Sequence, residues 1–451
     1  MFRAYDIRGI VDENLTENSI YAIGRALGSL VLQQGERSIL LGRDGRLSGS
    51  LLSASLAKGI LSTGCDVIDC GMLPTPVLYY ATHVINTRSG VMLTGSHNPK
   101  NHNGLKMMVA GKTLAESDIQ ALYQTICQNN FLLGEGFLSS MEMIERYMQH
   151  VRQDVRLSRP LKVVVDCGNG VAGIVVPALY RLLGCEVYEL YCEVDGHFPH
   201  HHPDPSQPAN LQDLIKAVQH FSADVGLAFD GDGDRLGVVT PRGEIIWPDR
   251  QLMLFAQSVL AHYPGRSIIY DVKCTYHLEK FIKERGGVPL MWKTGHSLIK
   301  SKLAEIDAVL AGEMSGHIFF KDRWYGFDDA IYAGARLLEI IADSPTSCAE
   351  LFDFIPNSIN TPELKIMVND HEKFSLMKKL ISAANFHSAE KITIDGLRVN
   401  FAEGWGLIRP SNTTPCLVLR FEANSETVLK NIQNLFRSLL VSVQPDLELP
   451  F

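Results

Sequence analysis

The sequence predicts an α/β protein in which three similar mixed-sheet α/β domains precede a fourth, different α/β domain. Three observations lead to this prediction. The chain of 451 residues is long enough for several cores, and its length alone predicts about three domains. The order of strand, helix and strand recurs three times, and each round ends in a polar loop. The order changes after residue 357, and we place the domains at 1–142, 143–245, 246–357 and 358–451.

The first domain is predicted from apolar periodicity and from the turn residues between apolar runs. Thr16 is a candidate N-cap for a helix that ends near Gly35. The predicted elements are an extended segment over 2–10, this helix, a strand over 38–41, a helix over about 49–63, a strand over 66–69 and a strand that leads to Ser96.

The second and third domains repeat this order, and their strands also end in polar loops. Ligands of open α/β sheets bind beyond the carboxyl ends of the strands, so we infer that each domain delivers one polar loop to a ligand. The predicted strands of these domains cover 162–165, 186–190, 224–229, 267–270, 288–292 and 308–310. The predicted helices cover about 173–183 and 276–285.

The fourth domain has a different pattern. A strand over 361–368 is followed by a helix over about 371–384 and by strands over 391–401 and 417–422. Residues 404–415 contain several turn residues and are predicted to form a loop. Apolar residues at helical spacing then predict a closing amphipathic helix.

Composition and charge exclude several classes of partner and location. The chain has 42 Lys and Arg against 50 Asp and Glu, a net charge of -8, which argues against nucleic acid or an anionic membrane as the main partner. The nine cysteines are scattered, without a C-x-x-C pair, as expected of free thiols in a reducing compartment. We see neither a secretory signal nor an apolar run near the ~18 residues of a membrane helix, so we expect a cytoplasmic protein.

The stretch from Val91 to Pro99 is the first candidate functional site. An apolar strand runs into a tight polar turn that carries the hydroxyl of Ser96. Taken alone, this is an ordinary strand followed by turn residues. A hydroxyl that carries a phosphate needs a cation nearby, and a second stretch of the chain can supply one.

That second stretch is the acidic turn Asp230-Gly231-Asp232-Gly233-Asp234, which follows an apolar strand. Three alternating carboxylates form a compact oxygen site for a hard divalent cation. An EF-hand calcium loop is excluded, because it requires Gly at its sixth position and Glu at its twelfth, where this chain has Arg235 and Pro241. The pattern therefore predicts a metal site of another kind.

Two further stretches are rich in polar residues. Arg409-Pro410-Ser411-Asn412-Thr413 combines a guanidinium with hydroxyl groups and turn amides, which are donors suited to an oxyanion. The histidines and prolines of residues 197–205 match no zinc spacing, and we interpret them as an ordered loop.

Four motifs together resemble the signature loops of the α-D-phosphohexomutases, and they occur in the order typical of that family. They begin at Thr94, Asp230, Gly312 and Arg409, and read Thr-Gly-Ser-His-Asn-Pro, Asp-Gly-Asp-Gly-Asp-Arg, Gly-Glu-Met-Ser-Gly-His and Arg-Pro-Ser-Asn-Thr. The opening Tyr-Asp-Ile-Arg-Gly at 5–9 and the stretch 292–297 are similar to the bacterial phosphomannomutase/phosphoglucomutase subgroup. The resemblance implies four domains around a central cleft.

The resemblance also implies a phosphoenzyme. Ser96 would be the phosphoserine that donates its phosphoryl group. Its phosphate oxygen would complete a site for one Mg²⁺ per chain, together with Asp230, Asp232 and Asp234.

Further roles follow from the same resemblance. His317 would shuttle protons, and Arg8 and Lys106 would be catalytic residues close to the phosphoserine. The residues implied in substrate binding are Tyr5, Lys273, His296, Glu313, Met314, Ser315, Gly316, His317, Arg409, Ser411, Asn412 and Thr413. Among these, the loop of Glu313 would hold the sugar and the loop of Arg409 would hold the phosphate that is not transferred.

The implied activity is the interconversion of hexose 1-phosphate and hexose 6-phosphate, with mannose or glucose as the sugar. A hexose 1,6-bisphosphate would be both intermediate and activator, hexose phosphates would be the partners, and a monomer is expected. Phosphoglucosamine mutase is an alternative, although that subgroup usually has Gln where this chain has Met314. A non-catalytic sugar phosphate sensor is another, although a sensor needs no nucleophile. A serine hydrolase lacks an indicated Asp partner.

Overall fold

The computed structural model describes residues 1–3, 5–369, 371–387, 389–412 and 414–451. Within these ranges the chain forms four β-sheets, which we call units I to IV. The α/β class, with three similar mixed sheets and a different fourth, is therefore confirmed. The proposed domain boundaries stay predictions.

Unit I is the largest sheet, in the order β1-β5-β4-β2-β3-β7, and β6 pairs with β5. Strands β4, β2, β3 and β7 are parallel, whereas β5 is antiparallel to both β1 and β4. The elements are β1 (Ile7–Ile10), α1 (Glu17–Gln33), β2 (Ser38–Arg43), α2 (Gly49–Leu61), β3 (Asp66–Met72), α3 (Thr75–Val84), β4 (Gly90–Leu93), β5 (His102–Val109), β6 (Lys112–Thr113), α4 (Ser117–Cys127), β7 (Leu138–Ser140) and α5 (Ile144–Asp154).

Units II and III are smaller sheets of the same kind. The elements of unit II are β8 (Lys162–Asp166), α6 (Val176–Leu182), β9 (Glu186–Leu190), α7 (Gln212–Phe221), β10 (Val225–Phe229), β11 (Leu236–Val239) and β12 (Ile245–Ile246), with short 3₁₀ turns at Val171–Ile174 and Pro208–Leu211. Those of unit III are α8 (Pro248–His262), β13 (Ser267–Asp271), α9 (His277–Glu284), β14 (Val288–Trp292), α10 (His296–Glu305), β15 (Leu310–Gly312), β16 (Ile318–Phe320), α11 (Ala330–Asp343) and α12 (Cys348–Asp353).

The three units share one strand order, which bears out the predicted repeat. The orders β5-β4-β2-β3, β11-β10-β8-β9 and β16-β15-β13-β14 are equivalent. In each, three parallel strands are followed by an antiparallel strand, and the loop before that antiparallel strand is one of the predicted functional loops. Equivalent positions in the fold therefore present Ser96, the Asp230 turn and the Glu313 loop.

Unit IV is an antiparallel sheet in the order β17-β22-β21-β20-β19, with β18 also paired to β22. Its elements are β17 (Ile359–Asn360), β18 (Leu364–Met367), α13 (Lys373–Ala383), β19 (Glu390–Ile392), β20 (Leu397–Phe401), β21 (Gly404–Pro410), β22 (Cys416–Ala423) and α14 (Glu426–Val443). Helices α13 and α14 cover one face of this sheet and enclose a separate apolar core.

Some local predictions were wrong. The predicted loop over 404–415 is mostly strand β21, so Arg409 lies on a strand and only the residues after Pro410 form a turn. Because β21 pairs along its length with both β20 and β22, long-range hydrogen bonds override its turn-prone residues. The predicted strand over 391–401 is two strands, β19 and β20. Helices α3 and α10 were among those missed.

Side chains of strands β20 and β21 fasten unit IV to the residues that follow β13 in unit III. Arg398 Nη1 donates to the carbonyl oxygens of Val272 and Cys274, at 2.7 and 2.8 Å. Val272 also packs with Trp405 and Leu407 in a small apolar cluster. We call this contact the III–IV seam.

None of the described helices has the length and apolarity needed to cross a lipid bilayer.

Helices α1 and α2 of unit I cross closely because glycine occupies the crossing point. A Cβ at Gly59 would lie 2.3 Å from the carbonyl oxygen of Tyr21, and a Cβ at Gly24 would lie 2.5 Å from that of Leu56. At the start of α1, Thr16 accepts a hydrogen bond from the amide of Ser19, so the predicted N-cap is confirmed.

Gly59→Ala is expected to destabilise unit I by about 1–3 kcal/mol, because the clash with α1 outweighs a gain in helix propensity of about 1 kcal/mol. Calorimetry would show a lower unfolding temperature. Lys58→Ala, at an exposed position of the same helix, is the control and should change stability by less than about 0.5 kcal/mol. An unchanged transition in Gly59→Ala would contradict the close crossing.

Candidate functional site

Ser96 lies in a constrained turn after β4. Its φ is +46°, in the left-handed region that residues other than glycine rarely adopt. Its amide donates to Thr94 Oγ1 at 2.8 Å, while Thr94 Oγ1 donates to Asp44 Oδ2 at 2.8 Å. Asp44 Oδ2 also accepts from the Gly95 amide at 3.0 Å. A buried carboxylate thus holds the turn that presents the hydroxyl.

A buried arginine fixes the same turn from the other side. The Arg46 guanidinium donates to the carbonyl oxygens of Ser96 and Asn98, at 2.8 and 2.7 Å. It also donates to those of Pro99 and His102, at 2.6 and 2.9 Å. One buried guanidinium therefore ties together four backbone carbonyls of the turn and of the residues that follow it. Sequence reasoning missed both Asp44 and Arg46.

The acidic turn after β10 folds around its first carboxylate. Asp230 Oδ1 accepts the amides of Gly233, Asp234 and Arg235 at 3.1, 3.1 and 3.2 Å. Its other oxygen, Oδ2, accepts the Ser96 hydroxyl at 2.7 Å. The two motifs that the sequence places 134 residues apart are therefore in direct contact.

The charges of this turn are strongly coupled. Burial and the carboxylates of Asp232 and Asp234 raise the pKa of Asp230 well above its usual range. Burial, together with Asp232, also raises the pKa of Asp234. For Asp232, burial acts in the same direction, but Lys106 outweighs it and lowers the pKa. Burial acts to lower the pKa of Lys106, and Asp232 and Asp234 instead raise it well above normal. Three buried carboxylates thus share the Lys106 ammonium, which leaves an excess of negative charge that a bound cation would offset.

The donor set fits a divalent cation. Asp230, Asp232 and Asp234 are fully buried, and their oxygens lie within 4.8 Å of one another. Asp232 Oδ1 and Asp234 Oδ1 have no hydrogen-bond partner among the described residues. The Lys106 ammonium contacts the other oxygens of both, at 2.7 Å for Asp232. Hard carboxylate oxygens that are buried and unpaired suit Mg²⁺.

The Glu313 loop turns tightly between β15 and β16. Glu313 Oε2 accepts from the Gly295 amide and from the Ser315 hydroxyl, both at 3.3 Å. Its Oε1 is buried without a partner in the described part of the chain. Burial raises the pKa of Glu313. Gly316 has φ +101°, a conformation that lets the loop return to β16.

Two histidines face each other beside this loop. The rings of His296, at the start of α10, and His317 lie 5.6 Å apart and are nearly parallel. Both approach the buried carboxylate of Asp328, with Nδ1 to Oδ2 distances of 3.5 and 3.2 Å. Asp328 Oδ1 also accepts from Lys300 Nζ at 2.7 Å. Neither Asp328 nor Lys300 was predicted from the sequence.

Arg409 lies at the far end of the site. Its guanidinium Nε donates to Asp395 Oδ2 at 3.0 Å. Burial acts to lower the pKa of Arg409, but Asp395 and Tyr5 raise it, so the cation is stable. Beyond it, Ser411 Oγ accepts from the amide of Thr414 at 3.1 Å, which closes the turn. Thr413, a predicted binding residue, is outside the described residues.

One cleft of about 610 Å³ connects these loops. Lining it are the predicted residues Tyr5, Arg8, Ser96, Lys106, Lys273, His296, Glu313, Met314, Ser315, His317, Arg409, Ser411 and Asn412. The acidic turn lies beneath its surface, and Gly316 is not among the lining residues. The structure therefore brings all four predicted loops to one place.

Several cationic side chains surround the Ser96 loop in the cleft. Burial lowers the pKa of His97 well below its usual value, and the cations Arg235, Arg8 and Lys106 lower it further. At the other end, Lys273 Nζ pairs with Glu363 Oε1 at 2.6 Å. Cationic side chains thus line both ends of the cleft, although the chain as a whole is negatively charged.

Family comparisons match the chain in four successive segments. Residues 1–132, 145–243 and 247–358 match the phosphoglucomutase/phosphomannomutase alpha/beta/alpha domains I, II and III. Residues 363–439 match the phosphoglucomutase/phosphomannomutase C-terminal domain.

Individual relatives agree over the whole length. Phosphomannomutase/phosphoglucomutase of Pseudomonas putida is 56% identical over 451 residues, 100% of this chain and 97% of the relative. Phosphoglucomutase of Neisseria gonorrhoeae is 51% identical and covers 98% of this chain and 97% of its own length. A crystal structure of a phosphoglucomutase/phosphomannomutase family protein from Burkholderia thailandensis superposes with a TM-score of 0.96 at 51% identity, covering 100% of this chain and 99% of that one.

The resemblance seen in the four motifs thus extends to every unit of the fold and to full-length relatives with more than half of their residues in common. The chain belongs to the phosphoglucomutase/phosphomannomutase family of α-D-phosphohexomutases.

Proposed function

We propose that the chain is an enzyme that interconverts hexose 1-phosphates and hexose 6-phosphates of mannose or glucose. Phosphorylated Ser96 would give its phosphoryl group to the sugar, forming a hexose 1,6-bisphosphate that reorients in the cleft. The observation that carries this proposal is the 2.7 Å contact between the Ser96 hydroxyl and Asp230 at the floor of a cleft lined by residues of the other loops. The full-length relative named phosphomannomutase/phosphoglucomutase supports the same activity.

Phosphoryl transfer requires mainly positioning and compensation of charge. The Asp44 and Arg46 contacts fix the Ser96 turn, so that the phosphorylated oxygen keeps one direction. Arg8 and Lys106 line the same end of the cleft and would neutralise the phosphate, which carries about -1.5 to -2 charges at neutral pH. Asp230, Asp232 and Asp234 would hold one Mg²⁺, which would supply further charge neutralisation at the phosphate.

The sugar would be held between the Glu313 loop and the residues around it. Glu313 Oε1, buried and unpaired, is an acceptor suited to a sugar hydroxyl, and Ser315 adds a second polar group. His317 would take the proton of the attacking hydroxyl. The remaining predicted contacts of this region are Tyr5, Lys273, His296, Met314 and Gly316.

The phosphate that is not transferred would bind at Arg409, together with Ser411, Asn412 and Thr413. A guanidinium and hydroxyl groups bind the oxygen atoms of a phosphate irrespective of the sugar carbon that carries it. The same site can therefore hold the phosphate of C1 in one half-reaction and that of C6 in the other. Reorientation of the bisphosphate then exposes the second phosphate to Ser96.

Ser96→Ala is expected to lower kcat by about 1,000-fold or more, because the phosphoryl carrier is lost. Binding of glucose 1-phosphate, measured by calorimetry, should remain. The intact mass of the wild type should include one phosphate that Ser96→Ala lacks. The control is Ser301→Ala, whose hydroxyl bonds within α10 away from the cleft. Unreduced turnover in Ser96→Ala would rule out the covalent step.

Arg409→Ala is expected to raise KM by about 10- to 100-fold, because a charge-assisted contact with phosphate is lost. The increase should be similar for glucose 1-phosphate and glucose 6-phosphate if both ends use the same site. Arg437→Ala, on α14 beside Phe451, is the matched control with normal kinetics. An increase for only one of the two substrates would contradict a shared phosphate site.

Removal of divalent cations by a chelator is expected to abolish turnover, and added Mg²⁺ should restore it. Asp232→Asn should raise the Mg²⁺ concentration for half-maximal activity by about tenfold or more, since one charged ligand is lost. Asp195→Asn, at a carboxylate that pairs with His197 outside the acidic turn, serves as the comparison. Full activity in the chelated enzyme would disprove the metal site.

A further inference from the structure

Two histidines of the cleft depend on one buried carboxylate. Asp328 is fully buried, and its Oδ2 has no conventional hydrogen-bond partner among the described residues. The nitrogen atoms that approach Oδ2 are Nδ1 of His317 at 3.2 Å and Nδ1 of His296 at 3.5 Å. A buried, uncompensated carboxylate oxygen is costly. At least one of these two ring nitrogens should therefore carry a proton directed at Asp328.

The contacts of His317 indicate which ring nitrogen carries the proton. Arg235 Nε lies 3.1 Å from His317 Nε2. A guanidinium can only donate, so Nε2 holds the lone pair and a neutral ring has its proton on Nδ1. Nδ1 lies 3.2 Å from Asp328 Oδ2 and 3.5 Å from Asp234 Oδ1, and neither contact is aligned as a regular hydrogen bond in the described chain. Because Asp234 belongs to the acidic turn, Asp328 is the carboxylate that remains available to pair with the imidazole of His317.

The contacts of His296 place its proton on the other ring nitrogen, Nε2. Lys300 Nζ lies 3.2 Å from His296 Nδ1, and the same ammonium donates to Asp328 at 2.7 Å. An ammonium has no lone pair, so Nδ1 of His296 accepts and Nε2 carries the proton. Burial and Lys300 lower the pKa of His296 well below its usual value, which keeps the ring neutral. Its Nε2 is buried and has no hydrogen-bond partner in the described chain, as expected of an N–H donor whose partner is a bound ligand.

We propose that Asp328 is a positioning residue that, together with Lys300, fixes opposite tautomers of the two histidines. His317 presents a lone pair on Nε2, and His296 presents an N–H on Nε2. This inference rests on the proposed function. The two rings then have different roles. His317 accepts a proton from the reacting hydroxyl, and His296 donates a hydrogen bond to the sugar phosphate.

The proton and electron balance of the step is simple. The sugar hydroxyl oxygen forms a bond to phosphorus, and the bond between phosphorus and Ser96 Oγ breaks, leaving its electron pair on Oγ. The hydroxyl proton passes to His317 Nε2, once the hydroxyl has replaced Arg235 as the partner of that nitrogen. Ser96 Oγ takes up one proton as it leaves phosphorus, and His317 gives up the proton that it accepted. The net change is therefore one proton moved from the sugar to Ser96 Oγ, and no other reactant is required.

Asp328→Asn tests this assignment. Lys300 donates to the side-chain oxygen of either residue, so the substituted side-chain amide would turn its NH₂ group toward His317 Nδ1. Nδ1 must then accept, and the proton moves to Nε2, where it blocks proton uptake. We expect kcat to fall by about 100- to 10,000-fold, with KM within about threefold of the wild type. Nitrogen-15 NMR of labelled histidine should show His317 change from the Nδ1–H to the Nε2–H form.

Asp329→Asn is the matched control. Asp329 is the adjacent residue and is equally buried, but it bonds to Tyr147, Trp324 and the amide of Tyr332 and not to a cleft histidine. Its replacement should lower stability without changing the tautomer of His317 or the kcat of the folded enzyme. Lys300→Met should alter the nitrogen-15 signals of His296 and leave those of His317 in the Nδ1–H form.

Several outcomes would overturn the proposal. One is a wild-type His317 that carries its proton on Nε2, or on both nitrogens, at neutral pH; this measurement needs no variant. Another is an Asp328→Asn enzyme with unchanged kcat, or with a loss no greater than that of Asp329→Asn. If the wild type shows the Nδ1–H form but no mutase activity, the proposed function fails and the tautomer assignment stands.

Discussion

The structure depends on neutralising three carboxylates that are buried in one short turn. Repulsion between Asp230, Asp232 and Asp234 is strong because all three are buried, as the raised pKa of Asp230 reflects. Arg235 compensates part of this charge from within unit II, while unit I supplies the Lys106 ammonium from β5 and hydrogen bonds from the hydroxyls of Ser96 and Thr75. Units I and II therefore cannot separate without exposing uncompensated charge. The same interaction places Ser96 and the candidate cation site side by side at the junction of the two units.

A repeated strand order explains why the remaining groups converge. In units I, II and III, the loop between the third parallel strand and the antiparallel strand carries the polar residues. Each such loop lies at the carboxyl edge of its sheet, where an α/β fold presents ligands. Unit IV reaches the cleft differently, through the turn between β21 and β22, which is consistent with a separate task in holding a phosphate. Units I, II and III thus present their polar loops by the same strand arrangement, and unit IV presents its turn by a different one.

The sequence indicated the candidate residues of the cleft loops more readily than the residues that hold those loops in place. The acidic turn and the Ser96 turn are visible because unusual polar residues directly follow apolar strands. Asp44 and Arg46 stand in an ordinary strand-end loop, and only the fold shows that they hold the Ser96 turn. Asp328 lies far along the chain from His296, and the β16 hairpin brings the two together. Helix α10 was missed for a related reason, since its apolar periodicity is weak where polar residues such as Lys300 are buried inside.

The III–IV seam has a consequence for ligand exchange. Arg398 spans it with two short hydrogen bonds to backbone carbonyls, and each such charged contact is worth about 1.5–3 kcal/mol when buried. Rotation of unit IV away from unit III would have to break these contacts and wet the apolar cluster around Trp405. Opening the cleft between units III and IV would therefore cost the free energy of these contacts, which favours exchange of a ligand without separation of the two units.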